Sequence, residues 1–266
     1  AYQSAWKNKL YILAEKIAAR HCHKIYAVAQ AMIEQCVQAG VAPREKYQVV
    51  YSGMDLQAFL NARPEESLRE KLSLPAGTPV IGKIARIFEL KGYEHLVDAA
   101  PQIVAAVPEV RFLLVGDGIL RPAIEQRIAA LGLQKHFVFA GLVPPQDICR
   151  YTALMDVLAH LSLREGLPRT AVQALASGIP VVAYPLDGTP EVVHDGQTGC
   201  LCEPGNIAQV AEKLIALLQD QPLRQRYGAA GRALVSELFD WHQMADILEA
   251  EYYSQLEKNS PGFTKQ

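Results

Sequence analysis

The chain has 266 residues, half of them apolar and a fifth charged, with 26 Lys and Arg against 28 Asp and Glu. This length suits one full α/β domain plus a piece of another, and the composition suits a packed core. A net charge of −2, with no basic cluster interleaved with aromatics, excludes an electrostatic nucleic-acid binder, and the lack of an apolar run of about 18 residues excludes a membrane-spanning helix.

Residues 3–20 place Trp6, Leu10, Leu13 and Ile17 at helical intervals, with Lys7, Lys9, Lys16 and Arg20 mostly off that stripe. The pattern predicts a basic amphipathic helix that either packs on a sheet or lies on an anionic membrane surface, packing being the preferred reading. No secretory signal is read in this lysine-dotted start. Five scattered cysteines, Cys22, Cys36, Cys149, Cys200 and Cys202, form no C-x-x-C pair and read as reduced thiols of a cytoplasmic protein. His21-Cys22-His23 has no second pair at zinc spacing, so no metal site is predicted. A short strand at 24–29, a helix from about 30 to 39 stopped by Gly40, and a strand at 47–51 follow.

A polar, helical stretch at 59–77 leads into the apolar strand 79–86, which ends in Arg86 and is followed by Lys91-Gly92 and a helix over 93–107. Cations at the carboxyl end of a strand are suited to neutralising charge that develops on a departing diphosphate; standing alone they read rather as solvated surface charges. Residues 110–115 form a near-continuous apolar run typical of a central parallel strand, closing in Gly116-Asp117-Gly118. A dinucleotide fingerprint would need its third glycine where Arg121 stands, so a nicotinamide cofactor is not expected. A helix over 120–131, a strand at 137–140 running into Gly141, a helix over 146–155 and a strand at 157–161 continue the alternation, with His160 read as a packed residue.

Pro168 suits a first helical turn and Gly178 the left-handed residue after the last, so a helix is predicted over about 168–177, with a strand over 179–184 behind it. The loop before that helix delivers Glu165 and the amides of Gly166 and Leu167 to a helix N-terminus, where phosphate or polyhydroxylated sugar is the natural ligand. Gln173 lies eight residues on, within reach of a second part of an extended ligand. The plainer alternative, favoured if this segment is taken alone, is an ordinary connection between a strand and a helix with a surface acid. Thr189 is placed to cap a short helix that includes Glu191, beside the same pocket. Helices over 207–218, 222–238 and 239–256 complete the chain.

Taken together these motifs resemble glycosyltransferase family 4, retaining enzymes of the GT-B fold. Glu165-Gly-Leu-Pro with a polar residue at the eighth place resembles the family's E-x7-E, except that Gln173 replaces the second glutamate and brings no charge. Gly82, Arg86 and Lys91-Gly92 resemble its G-R-x(4)-K-G, and Gly188-Thr-Pro-Glu191-Val-Val its G-x-P-E-x-V. The resemblance implies that Arg86 and Lys91 hold the donor diphosphate, that Glu165 holds donor-sugar hydroxyls with help from Gly166 and Leu167, and that Gln173 holds the ribose. It likewise implies Gly82, Gly116, Gly118 and Gly141 as donor-site positions, with backbone groups near Gly141 facing the nucleobase, and Glu191 at the pocket edge. Front-face attack with the leaving phosphate as base is implied by the family alone. The sequence holds no Asp-x-Asp, so protein cations are expected to replace a metal, with no cofactor beyond the nucleoside diphosphate sugar itself.

The expected layout is an α/β chain of GT-B type with a complete, doubly wound, Rossmann-like C-terminal domain and a partial N-terminal α/β domain. Residues 1–56 read as the end of the acceptor-side domain, where Ala29 replaces the usual serine, and 57–240 as the donor-binding domain. Residues 241–258 read as a helix crossing back and 259–266 as a disordered tail. Two or three strands before residue 56 cannot bury their own faces, so the chain reads as lacking the first part of the acceptor domain through truncation, a separate partner chain or a decayed gene. The expected function is transfer of a sugar to a hydroxyl acceptor such as a glycan or lipid-linked sugar. The alternative is a non-enzymatic nucleotide-sugar binding fragment that needs the missing half. The expected place is the cytoplasm, or peripherally the inner face of the membrane through residues 3–20.

Overall fold

The computed structural model describes residues 4–259, in two compact units: one runs through Met54 and resumes at Leu238, the other spans Asp55–Glu237. In the first unit α1 (Ala5–Arg20), β1 (Ile25–Ala27), α2 (Gln30–Gln38) and β2 (Tyr47–Val49) are followed, after the second unit, by the end of the Gln221–Leu238 helix and by the Trp241–Asn259 helix. β1 and β2 pair in parallel, and Met54 bridges Asp240. The tail expected at 259–266 lies outside the described residues apart from Asn259, which ends a helix, and Gln3 of the first predicted helix is likewise outside them.

The apolar stripe of α1 departs from the packed arrangement expected from its pattern. The stripe on α1 does not pack on a sheet: Trp6 is 65 % exposed and Ile17 52 %, with Leu10 and Leu13 between them. Two three-residue strands offer no apolar face wide enough to cover a four-turn helix, and α1 is buried at Ala19, near its end.

The second unit begins with α3 (Gln57–Asn61) and α4 (Glu66–Lys71), then alternates strand and helix: β3 (Val80–Ile84), α5 (Tyr93–Ala106), β4 (Arg111–Val115), α6 (Arg121–Ala130), β5 (Phe137–Gly141), α7 (Ile148–Thr152), β6 (Val157–His160), α8 (Arg169–Ala176), β7 (Val181–Ala183), β8 (Gly199–Leu201), α9 (Ile207–Gln219) and α10 (Gln221–Leu238). The strands pair only in parallel, in the order β5-β4-β3-β6-β7-β8. One face buries Ile81, Phe112, Val157, Ala159 and Val182 with Leu96, Ile103, Leu214 and Leu217 of α5 and α9. α8 packs on β6 and β7 from the other face. Continuous apolar strands are what a sheet covered on both sides requires.

The order reverses between β3 and β6, and in such sheets the crevice for ligands opens at that switch, beyond the carboxyl ends of the strands. Gly92 sets the geometry of this end. It precedes α5 with φ 64°, and a Cβ there would run into the carbonyl oxygen of Leu161, just past β6. The amide of Leu163 also donates to Leu90 O at 2.8 Å, so the loop after β3 is fastened to the loop after β6.

Gly92→Ala combines a left-handed backbone with that overlap and is expected to lower stability by about 2–4 kcal/mol. Urea unfolding checks this, and a loss under about 0.5 kcal/mol would mean the two loops part without cost.

Candidate functional site

Once the two loops are joined, their side chains meet. Lys91 Nζ donates to Glu165 Oε1 at 2.7 Å, with both side chains partly open to solvent. Burial pushes the Glu165 carboxyl up, but Lys91, the Ser162 hydroxyl and His160 together outweigh it, and the carboxyl ends below its usual range. The Glu165 amide donates to Asp187 Oδ2 at 2.8 Å, and Gly188 N–H donates to Gly166 O at 3.1 Å. Asp187 adopts φ 52°, a conformation few residues other than glycine and Asn or Asp tolerate, and thereby braces the Glu165 loop from the turn after β7.

Under this pair lies an unusual buried group. Lys83, in the middle of β3 and 2 % exposed, donates to Ala159 O at 3.4 Å and lies 4.9 Å from the centroid of the Tyr93 ring. Burial drives its ammonium down to about 7, with Lys91 adding to the fall and Glu94 and Glu165 opposing it. Beside it His160, 7 % exposed, accepts or donates at Nδ1 with Thr170 Oγ1 (3.3 Å), while its Nε2 lies 3.7 Å from Glu165 Oε1. Burial also pushes the His160 ring down, so it is neutral at pH 7.

The other predicted residues fall into three groups. Arg86, Gly116, Gly118 and Gly141 stand at or just beyond the ends of β3, β4 and β5. Arg86 is exposed, its guanidinium 5.7 Å from the Phe88 ring centroid, and Gly141 closes β5 with its carbonyl accepting from Gly116 N–H at 2.9 Å. Gly116 and Gly118 are glycine for a reason within the protein: a Cβ on either would strike the backbone of Ala85 or Ile87. Gly166, Leu167, Gln173 and Glu191 surround Glu165 in sequence or on the neighbouring turn. Leu167 is buried, Gln173 is half-buried one turn into α8, and Glu191 closes a short 3-10 turn, Thr189–Glu191. Gly82 stands apart. It is buried mid-strand with Met155 Sδ against it, three residues short of the loop, so the structure does not bring it to the strand ends.

Three residues of this cluster escaped the sequence reading. Asp187 had a signal in the Asp-Gly turn after a strand. Lys83 had one as a lone charge inside an apolar strand, which is either an edge position or a paired interior one. His160 had none that distinguishes it from a packed histidine. Among the described residues no group of three or more His, Cys, Asp and Glu is arranged to hold a metal, and the five cysteines are free.

A doubly wound parallel sheet, with a cation and carboxylate paired at its switch point and a second cation at the end of β3, is the Rossmann-like architecture of one half of a GT-B fold. The match to known proteins agrees. Residues 64–234 match the family described as glycosyl transferases group 1, and the chain belongs to that family. It is 34 % identical over 194 residues to the 2-deoxystreptamine glucosyltransferase of Streptomyces kanamyceticus, a match covering 73 % of this chain and 50 % of that protein. It is 34 % identical over 206 residues to a GDP-mannose-dependent phosphatidylinositol monomannoside mannosyltransferase of Corynebacterium glutamicum, covering 74 % and 53 %. Anabaena HepE, solved in complex with UDP, superposes with a TM-score of 0.82 at 28 % identity over 91 % of this chain and 66 % of that one. The chain thus spans about half the length of these curated relatives.

Because Lys83 is neutral more readily in the fold than in the unfolded chain, it weakens the protein most below about pH 7, where both states are protonated. As pH rises from 7 towards 10.5 the unfolded chain keeps a proton that the fold has released, and stability recovers by up to about 1.4 kcal/mol per pH unit. Lys83→Met is therefore expected to be more stable than the parent at pH 7 and to lose that advantage by pH 10. Urea midpoints at pH 7, 8, 9 and 10 test this, and a difference independent of pH would show that Lys83 is not held neutral.

Proposed function

We propose that residues 55–237 bind a nucleoside diphosphate sugar and that the whole protein transfers its sugar, with retention, to a hydroxyl acceptor. The observation that carries this reading is the Lys91–Glu165 contact at the switch point: a cation suited to a diphosphate and a carboxylate suited to sugar hydroxyls already share one position. Arg86 and Lys91 bind the diphosphate and offset the charge it gains on leaving. Glu165 accepts from sugar hydroxyls, aided by the amides of Gly166 and Leu167. Gln173 holds the ribose, Gly116, Gly118 and Gly141 line the nucleotide side, and Glu191 closes the edge. Gly82 supports the strand from within rather than touching the donor.

The cations carry the charge of the leaving group, so transfer proceeds without a metal. The acceptor hydroxyl attacks the anomeric carbon on the face from which the phosphate departs, the C–O bond to phosphate breaks, and the departing phosphate oxygen takes the hydroxyl proton. Atoms and charge balance with the sugar glycoside and nucleoside diphosphate as products. HepE holds UDP, whereas the Corynebacterium relative is named for GDP-mannose.

The exposed stripe of α1, with Lys7 and Lys9 beside it, supports a second contact for the same protein, an anionic lipid surface that would bring it to a lipid-linked acceptor. No helix among the described residues is long and apolar enough to cross a membrane, so such contact is peripheral. Flotation with phosphatidylglycerol vesicles tests it; recovery only in the soluble fraction would remove this contact.

For the donor site, thermal unfolding in EDTA with UDP, GDP, ADP and their sugars is the direct test. A nucleotide at a hundredfold its dissociation constant adds about 2.7 kcal/mol, seen as a rise of roughly 5–10 °C for a domain of this size. One nucleotide family is expected to give that rise in the parent and much less in Lys91→Ala. A rise that EDTA abolishes would refute metal independence, and no rise with any nucleotide would refute the site. Where transfer is obtained, the anomeric coupling of the first-formed product decides retention against inversion.

A further inference from the structure

Glu165 is held by Lys91, and Lys91 is the residue assigned to the diphosphate. When Lys91 turns to a bound phosphate, the partly buried carboxylate loses its nearest cation at the moment it is needed to orient the sugar. Held then by the Ser162 hydroxyl, the carboxylate is less constrained, and misplacement of a binding group by about 1 Å is enough to cost two orders of magnitude in rate.

A second donor is already in place. His160 Nε2 is buried, has no hydrogen-bond partner among the described residues, and lies 3.7 Å from the same Oε1 atom that Lys91 holds. Closing that gap to an ordinary N–H···O length takes a shift of about 0.8 Å. The proton is on the correct nitrogen only if Nδ1 acts as the acceptor; Thr170 Oγ1 at 3.3 Å is able to donate to it, and the carboxylate facing Nε2 favours that tautomer. With the opposite tautomer a lone pair would face the carboxylate, and the buried contact would be repulsive. The charged groups that face the ring are Glu165, Lys83 and Lys91: the two ammonium groups resist a second ring proton and the carboxylate favours it.

Resting on the donor reading, we propose that His160 is a positioning residue for Glu165: its Nε2–H, with Thr170 donating to Nδ1, takes over the carboxylate when Lys91 leaves for the diphosphate. The carboxylate therefore passes from one donor to the other without losing its aim, and the sugar meets a preformed acceptor. The histidine never touches the donor. Its position on β6, rather than on the loop, makes it the rigid member of the exchange.

Lys91→Met imitates the departure of Lys91 without any ligand, so the coupling is measurable in the free chain. Long-range 1H–15N correlation spectra of the labelled protein report the His160 ring, assigned by the signal lost in His160→Gln. The parent is expected to show a neutral ring protonated at Nε2. In Lys91→Met the Nε2 proton moves downfield and the ring titrates about one pH unit higher, and Lys91→Met/Glu165→Gln abolishes both changes. A ring protonated at Nδ1, or one indifferent to Lys91→Met, would overturn the proposal. Calorimetry with UDP against UDP-glucose, and GDP against GDP-mannose, gives the second readout. His160→Leu is expected to weaken the sugar nucleotide about tenfold more than the nucleoside diphosphate, and His160→Gln, which retains a donor, to restore most of the loss. Equal weakening of both ligands would assign the residue a merely structural role and overturn the proposal. If the ring responds as expected while neither pair binds, the coupling of His160 to Glu165 stands and the donor reading fails.

Discussion

The site depends on a backbone contact rather than on a charge. Gly92 lies against the Leu161 carbonyl because it has no Cβ, and the Leu163 amide closes the same seam on Leu90 O. This fastening brings the residue before Gly92 and the fourth residue after Leu161 to one place at the sheet's reversal, although they are separated by two full strand–helix–strand passages. Lys91 and Glu165 find each other because the chain has already been fixed on either side of them. The ion pair is thus a result of the loop geometry, and its own contribution to stability is small for partly exposed side chains.

Beneath the seam the protein concentrates polar groups where an apolar residue would pack more favourably. Lys83 in a fully buried strand and His160 in its neighbour are costly choices, because each has at most a weak partner in the interior. Their common neighbour is Glu165, whose negative charge favours the protonated form of each against the larger effect of burial. A half-buried carboxylate surrounded by Lys91, Lys83, His160 and the Ser162 hydroxyl stays ionised with little help from water, and ionised acceptors are what sugar hydroxyls bind best. The bracing of the loop by Asp187 at a positive φ belongs to the same economy: backbone strain at one turn is accepted so that one carboxylate has one orientation.

The alternation of apolar strands with helices made the second unit legible, since a continuous run such as Phe112–Val115 fits only a strand covered on both faces. Gly178 ended α8 as its left-handed φ of 77° requires, while Pro168 stands as the cap rather than in the first turn. The order of the strands was not legible, because period and composition say nothing about which strand lies next to which. For that reason the pairing of Lys91 with Glu165 could be inferred only as two separate ligands of one diphosphate sugar. Gly82 enters the donor set only through the resemblance to G-R-x(4)-K-G, and a motif pattern does not say which way a strand residue faces; here it makes room for Met155. The helical stripe of Trp6, Leu10, Leu13 and Ile17 was legible as a helix, yet its surroundings were not, since an apolar stripe is the same pattern whether it is covered or bare. Lys83 and His160 gave no periodic signal, as a single polar residue leaves a strand's pattern intact.

The reversal at the centre of the sheet also has a bearing on how this domain forms. The two innermost strands are the ones most distant along the chain among neighbouring pairs: Lys83 and Ala159, side by side across the β3–β6 seam, are separated by 76 residues. Each flank can assemble from strands joined by a single helix, but joining the flanks requires closure of a long loop before any reward is gained from the contact. The polar cluster and the Gly92 fastening both lie on that last seam. The crevice at the strand ends therefore lies on the seam whose pairing costs the most chain entropy, between the two strands whose edges are satisfied only by each other across that seam.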